Sequence, residues 1–273
     1  MPVARADGVI LNYRLDGDEA LPLLVLSNGL GTDLSMWDPQ IPALAREFRV
    51  LRYDTRGHGA SAAPAAPFSI EHLGRDVLAL LDRVGAPSAH FCGLSMGGMI
   101  GQWLGIHVPQ RLQRLVLAHT AACIGSPAMW NERIDVVRAK GMTAISDAAL
   151  ARWFTPGFIA REPGTASAVK AVLARTSAAG YAGCCAAIRD ADFREDVARI
   201  EVPTLVISGT RDVATPVADG RFLAQRIAGA RLVEIDAGHL SNMESPQEFT
   251  AALLAFFRPA DATARTRRGS APG

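Results

Sequence analysis

Gly93-Leu94-Ser95-Met96-Gly97 is a Gly-x-Ser-x-Gly run set between two different periodicities. Before it, Ala89-His90-Phe91-Cys92 reads as a strand. After it, Met96, Met99, Ile100, Trp103 and Leu104 recur at three- and four-residue spacing, as one buried face of a helix does. A serine on so sharp a strand-to-helix turn has its Oγ pushed clear of the sheet, and glycines are needed where a flanking Cβ would clash. The helix start behind it offers unpaired N–H groups and a partial positive charge where an oxyanion would form. The pattern is that of a nucleophilic serine; the competing reading is a plain glycine-rich turn.

Such a serine needs a base, and the chain has six histidines: His58, His72, His90, His107, His119 and His239. His72 lies in a helical pattern, His107 near a helix end, His90 inside a strand, and His119 at the end of one. His239 differs, because Asp236-Ala237-Gly238-His239 directly follows the last strand, and loops leaving the carboxyl ends of parallel strands gather catalytic groups. The base in turn needs a carboxylate to fix its tautomer. Asp212, in Ser208-Gly209-Thr210-Arg211-Asp212 after another strand, fits; Asp236 is the local competitor but would need a tight turn to reach His239. For the oxyanion, Met96 N–H follows the nucleophile. A second donor is expected from Ser27-Asn28-Gly29-Leu30-Gly31, with Leu30 N–H favoured because Gly29 lets the backbone swing toward the site. An ordinary turn is the rival reading there.

The elements that must position these groups alternate along the chain. Strands are expected at Val9–Tyr13, Leu23–Ser27, Arg49–Tyr53, Ala89–Cys92, Leu112–Ala118, Thr204–Ser208 and Arg231–Ile235, with helical patterns between them. That rhythm predicts an α/β fold with a mostly parallel sheet flanked by helices. Ile70, Leu73, Val77, Leu80, Leu81 and Val84 share one helix face, with Ser69 placed to cap it. Ser245-Pro246-Gln247-Glu248 predicts a capping box opening a final helix that runs through Phe256 or Phe257. The rhythm breaks from about residue 121 to 199, an alanine-rich helical stretch carrying Trp130, Trp153, Phe154, Phe158 and Tyr181. The expected organisation is a core of residues 1–120 and 200–258, a helical cap of 121–199 over the carboxyl edge of the sheet, and a disordered tail of 259–273.

Bulk properties narrow the function. With 49% hydrophobic and 20% charged residues among 273, the chain is expected to fold around one large core. A net charge of +1 argues against nucleic acid or an anionic membrane as partner. No apolar run reaches membrane-spanning length and the first twenty residues carry no signal-peptide pattern, so a cytoplasmic protein is expected. Cys92, Cys123, Cys184 and Cys185 lack metal-ligand spacing and are read as reduced thiols.

Over about residues 8–258 the chain resembles the α/β-hydrolase fold superfamily, whose chain order of nucleophile, acid and base is that of Ser95, Asp212 and His239. Asp54-Thr55-Arg56-Gly57-His58-Gly59-Ala60-Ser61 matches the superfamily's Asp-x-Arg-Gly-x-Gly-x-Ser loop, a structural feature of arginine bracing and glycine turns, so His58 is assigned to that loop. A closer resemblance is to 3-oxoadipate enol-lactonases of the β-ketoadipate pathway. It is carried by Asn12–Gly17, Leu26–Asp33, Met36–Gln40, Arg52–Gly59, Gly93–Met99 and, most specifically, Met129-Trp130-Asn131-Glu132-Arg133-Ile134 in the cap stretch. One departure is His119, where asparagine is expected; it would either line the site or, as the favoured reading, pack beneath the cap.

The resemblance implies a serine hydrolase that opens a cyclic enol ester bearing a free carboxylate, through an acyl-enzyme, with no metal or organic cofactor. Arg133 would then bind the substrate carboxylate, and Trp130, three residues earlier on one helix face, would supply an apolar wall. The alternatives are local packing or pairing for both residues. For the whole chain the alternatives are another activity of the same fold (a general esterase, a carbon–carbon bond hydrolase or a perhydrolase) and a non-catalytic ligand-binding protein.

Overall fold

The computed structural model describes residues 2–63 and 67–258; the tail expected at 259–273 lies outside the described residues. Among the described residues eight strands form one sheet: β1 (Val3–Ala6), β2 (Val9–Asp16), β3 (Leu23–Ser27), β4 (Arg49–Tyr53), β5 (Ala89–Leu94), β6 (Leu112–Ala118), β7 (Thr204–Gly209) and β8 (Arg231–Ile235). Their order is β1-β2-β4-β3-β5-β6-β7-β8. The β1–β2 and β2–β4 pairs are antiparallel and the remaining pairs parallel. Strands β3, β5 and β7 are buried at every position, which is why they read as mostly apolar runs rather than alternating ones.

Strand β1 is absent from the sequence reading. It is four residues long and lies at the sheet edge, alternating exposed and buried. The signal that could have found it is Asp7-Gly8, both with positive φ (43° and 77°), a two-residue hairpin turn between short strands.

The helix Ile70–Arg83 buries Ile70, Leu73, Val77, Leu80 and Leu81. At its start His72 Nδ1 accepts the Ser69 N–H at 3.2 Å. The last helix, Pro246–Phe257, begins and ends as expected, but the predicted capping box does not form: Ser245 makes no side-chain cap bond. Ser245 also closes the short helix Ser241–Glu244, to which its N–H bonds. Its ψ of 61° takes it away from the extended cap conformation that would aim the hydroxyl along the new helix.

Between β6 and β7 the chain forms five helices: Pro127–Lys140, Ser146–Trp153, Pro156–Arg161, Pro163–Arg175 and Ala178–Arg189. Ser126, Thr155 and Ser177 cap three of them with side-chain bonds, and prolines occupy the first turns of three. The helices Pro127–Lys140 and Ala178–Arg189 pack on each other. All four cysteines are free thiols, three of them buried. Among the described residues, no single helix is long and apolar enough to cross a membrane.

Candidate active site

Ser95 stands between the end of β5 and the helix Met96–His107 with φ 58° and ψ −113°, a backbone state that costs roughly 1–3 kcal/mol for a non-glycine residue. The neighbours that enforce it are on either side in sequence. A Cβ on Gly93 would stand 2.0 Å from the Gly97 carbonyl oxygen, and one on Gly97 would stand 2.3 Å from the Ser27 carbonyl oxygen. Only glycine fits at both. Ser95 N–H donates to the Ala118 carbonyl at 2.8 Å, and the Ser95 carbonyl accepts from Thr120 Oγ1 at 2.8 Å. The turn is thereby clamped to the end of β6.

His239 follows β8 and Asp212 follows β7, as the sequence places them. His239 Nδ1 lies 2.7 Å from Asp212 Oδ2, while Ser95 and His239 border the same cavity. Asp236 turns to the surface instead, where it accepts from Thr210 Oγ1 and Arg211. Asp212 is buried and richly supplied with donors. Its Oδ1 accepts Ala214 N–H (2.8 Å) and Thr215 N–H (3.0 Å); its Oδ2 accepts Thr215 Oγ1 (2.9 Å) as well as His239. Burial alone would raise its pKa. The adjacent imidazoles of His239 and His119 and their hydrogen bonds outweigh that and hold the carboxyl far below the usual carboxylate range. It is an anion throughout the working pH range.

Beside the two expected oxyanion donors, neighbouring backbone N–H groups are already engaged. Gly97 N–H is used by the Asn28 carbonyl (3.1 Å) and Gly31 N–H by His58 Nε2 (3.0 Å). Among the described residues, Leu30 N–H and Met96 N–H, next to these, donate to no protein group. The loop that carries Leu30 is stiff. Asn28 Nδ2 donates to the Tyr53 carbonyl and Asn28 Oδ1 accepts from Trp37 Nε1, both at 2.8 Å. His58 is therefore a brace for this loop, and Arg56 braces the next one through a buried pair with Asp76.

The His58 brace gives the fold an acid sensitivity. Because Nε2 accepts the Gly31 N–H, Nδ1 carries the proton and faces the Arg56 carbonyl at 3.2 Å, so the ring is needed neutral. Burial pulls its pKa down to about 4, against an unfolded value of about 6.5. Between those values the unfolded chain binds the extra proton, so this contribution is complete above about pH 6.5 and is lost as pH falls toward 4. It amounts to roughly 3 kcal/mol. His58→Gln is expected to flatten the loss of stability between about pH 7 and pH 4.5 in denaturant unfolding. An unchanged slope would assign the acid sensitivity elsewhere.

The cavity is about 150 Å³ and is bordered on one side by Leu30, Ser95 and His239 and on the other by residues of the helices between β6 and β7. Trp130 and Arg133 both line it. They share one face of Pro127–Lys140, with the guanidinium 5.0 Å from the indole ring centre, and Trp130 Nε1 donates to the Ile124 carbonyl at 2.6 Å. One group escaped the sequence reading. Arg152, on Ser146–Trp153, also lines the cavity; burial first, and then the Arg133 charge, lower its pKa. Among the described residues neither arginine has a carboxylate partner. His119 neither lines the cavity nor merely packs under the helices, in contrast to the favoured expectation. Its Nδ1 lies 3.0 Å from the same Asp212 Oδ2 that His239 uses. Its place at the carboxyl end of β6, beside the strand that leads to Asp212, was the available signal. Potential ligand atoms of His119, Asp212 and His239 fall within 4.8 Å of one another, but both Nδ1 atoms point at one carboxylate oxygen as proton donors rather than toward a common centre.

The sheet order, the strained serine between strand and helix, and the acid and histidine after β7 and β8 define the class. The chain belongs to the α/β-hydrolase family: the family profile described as alpha/beta hydrolase fold matches residues 22–141, and that described as TAP-like protein matches residues 171–264. Within that family it is similar to 3-oxoadipate enol-lactonase 2 of Acinetobacter baylyi, with 47% identity over 93% of this chain and 95% of the relative. Enol-lactonase 1 of the same organism is 41% identical over 90% and 92% of the two chains. The crystal structure of the enol-lactonase from Burkholderia xenovorans LB400 superposes with a TM-score of 0.92 at 50% identity, covering 93% of this chain and 99% of that one.

Proposed function

We propose that this protein is a carboxylic ester hydrolase of the enol-lactonase type, opening a cyclic enol ester that carries a free carboxylate, 3-oxoadipate enol-lactone in the first instance. The observation that carries the reading is one cavity holding both kinds of group: a strained serine and a histidine, and facing them Arg133 and Arg152 with no carboxylate partner among the described residues. Two guanidiniums lining one cavity, with no carboxylate partner among the described residues, suit an anionic substrate. The identity of 41–47% to enol-lactonases supports the same substrate class.

In this reading Ser95, His239 and Asp212 act as nucleophile, base and orienting acid. His239 Nε2 takes the hydroxyl proton as Ser95 Oγ adds to the lactone carbonyl, and Asp212 steadies the imidazolium. Leu30 and Met96 N–H groups hold the oxyanion, each worth a few kcal/mol in comparable sites. Collapse breaks the ring C–O bond and His239 returns the proton to the departing enol oxygen. The enol remains tethered to the acyl chain and could close again; ketonisation removes it as a nucleophile and makes the opening one-way. Water, deprotonated by His239, then cleaves the acyl-enzyme, giving a keto-dicarboxylate and restoring Ser95. Residues 121–199 serve as the cap that supplies Trp130, Arg133 and Arg152 to the substrate, and the protein works in the cytoplasm.

Arg133→Met tests the carboxylate assignment. The substitution keeps an apolar stem and removes the charge, so the packing against Trp130 is expected to survive. The kcat/KM for the enol-lactone should fall by ten- to several-hundred-fold, on the order of 1.5–3 kcal/mol for a charge-assisted pair, while hydrolysis of p-nitrophenyl acetate barely changes. Equal losses on both substrates would give Arg133 a structural role. No loss on either would favour a general esterase.

A further inference from the structure

His119 closes β6 with φ 46°, a left-handed backbone that an L residue with a Cβ adopts only at a cost. The main chain holds it there through its N–H on the Ile207 carbonyl at 2.8 Å. The fully buried ring reaches two partners: Nδ1 is 3.0 Å from Asp212 Oδ2, and Nε2 is 2.6 Å from Ser241 Oγ. Space for the ring comes from Gly209, where a Cβ would stand 2.9 Å from His119 Cε1 and 2.4 Å from the Ala237 carbonyl oxygen. The ring meets that of His239 edge-on, with centres 5.8 Å apart.

Protons can be placed from this geometry. Asp212 is an acceptor only, so both imidazoles direct Nδ1–H at Oδ2, and the Ser241 hydroxyl then donates to His119 Nε2. Burial lowers the pKa of His119, which favours the neutral ring of that assignment.

We propose that His119 is a positioning residue: it fixes Asp212 Oδ2 and takes a share of its negative charge, so that the carboxylate facing His239 is less basic than with one imidazole alone. The proposal rests on the reading of Ser95, His239 and Asp212 as the working set. Its consequence has a definite sign. Removing this donor concentrates negative charge on the Asp212 bond to His239, and the acid limb of kcat/KM is expected to move upward. The other charged groups that feel this cluster are Glu244, Asp219 on Val217–Arg226 and Arg152 on Ser146–Trp153; all are unchanged in the variants below.

Three variants and two readouts test it, with p-nitrophenyl acetate as substrate so that the result does not depend on the lactone. His119→Leu removes both contacts. Its acid limb is expected to rise by about half a pH unit or more, and its kcat to fall by about tenfold with KM nearly constant. His119→Asn places an amide N–H where Nδ1–H was, suits the left-handed backbone, and should restore both limb and kcat to within about threefold. Ser241→Ala, which frees the ring but leaves its bond to Asp212, should fall between. In proton NMR the wild type should show two Nδ1–H resonances downfield of the amides, and His119→Leu one, itself moved further downfield. An acid limb and a remaining resonance unmoved in His119→Leu, with only the Tm lowered, would reduce His119 to packing and overturn the proposal. An Asn variant as impaired as Leu would overturn it too. If wild-type protein hydrolyses no ester, the hydrolase reading fails by itself, and the resonance shift still decides the role of His119.

Discussion

Ser95→Ala is expected to abolish turnover while leaving the fold intact. In enzymes of this chemistry, removal of the nucleophile costs roughly 10⁵- to 10⁶-fold in kcat, leaving only the rate that binding and oxyanion stabilisation supply. The fold should survive because what holds the turn is backbone. The Ser95 N–H bond to the Ala118 carbonyl, the Thr120 bond to the Ser95 carbonyl and the two enforced glycines are all indifferent to the hydroxyl. Alanine meets the same positive φ at no extra steric cost, so the Tm should match wild type. The check is a paired measurement: thermal unfolding, and labelling by a fluorophosphonate followed by mass spectrometry. Wild type should carry one phosphonyl group on Ser95 and the variant none. A labelled variant, or one retaining more than a few per cent of ester turnover, would remove Ser95 from the role of nucleophile, whereas a wild type that takes up no label and turns over no ester would return the chain to the ligand-binding reading.

The parts of this site that were legible in sequence share a physical property: each is a local constraint. Gly93 and Gly97 are legible because a backbone carbonyl occupies the space of each missing Cβ. Asp212 and His239 are legible because parallel strands deliver their carboxyl-end loops to one edge, so a carboxylate after β7 and a histidine after β8 meet there. Trp130 and Arg133 follow from helical spacing, which puts residues three apart on one face. What stayed hidden depends on contacts between elements far apart in the chain. Arg152 belongs to a helix whose facing direction is decided by its packing in the segment between β6 and β7. His119 is 93 residues from Asp212 and 122 from Ser241, and its one cue, a place at the carboxyl end of β6, does not by itself distinguish a histidine on a carboxylate from one in a core. The capping box at Ser245 failed for a related reason: the preceding helical turn claims the residue first.

Asp212→Asn is expected to cut kcat by roughly 10³- to 10⁴-fold with the chain still folded, and the hydrogen bonds around the carboxylate say why. An amide must choose which side carries the NH₂. At the Oδ1 position it faces Ala214 N–H and Thr215 N–H, backbone donors that cannot turn away, so the amide oxygen stays there. The NH₂ is then forced to the Oδ2 position, opposite His239 Nδ1 and His119 Nδ1. To accept from it, His239 must move its proton from Nδ1 to Nε2, the atom that has to receive the Ser95 proton. The imidazole stays in place with the wrong tautomer, and the base is blocked rather than lost. Asp236→Asn provides the contrast. Asp236 lies at the surface on Arg211 and Thr210, so this variant should keep wild-type kcat. Denaturant unfolding of both variants normalises for folded protein, and fluorophosphonate labelling reports the serine's reactivity without any substrate. Slow labelling in Asp212→Asn with normal labelling in Asp236→Asn is the expected pair. The reverse pair would make Asp236 the orienting acid, and normal labelling in both would mean that His239 activates Ser95 without an anion behind it.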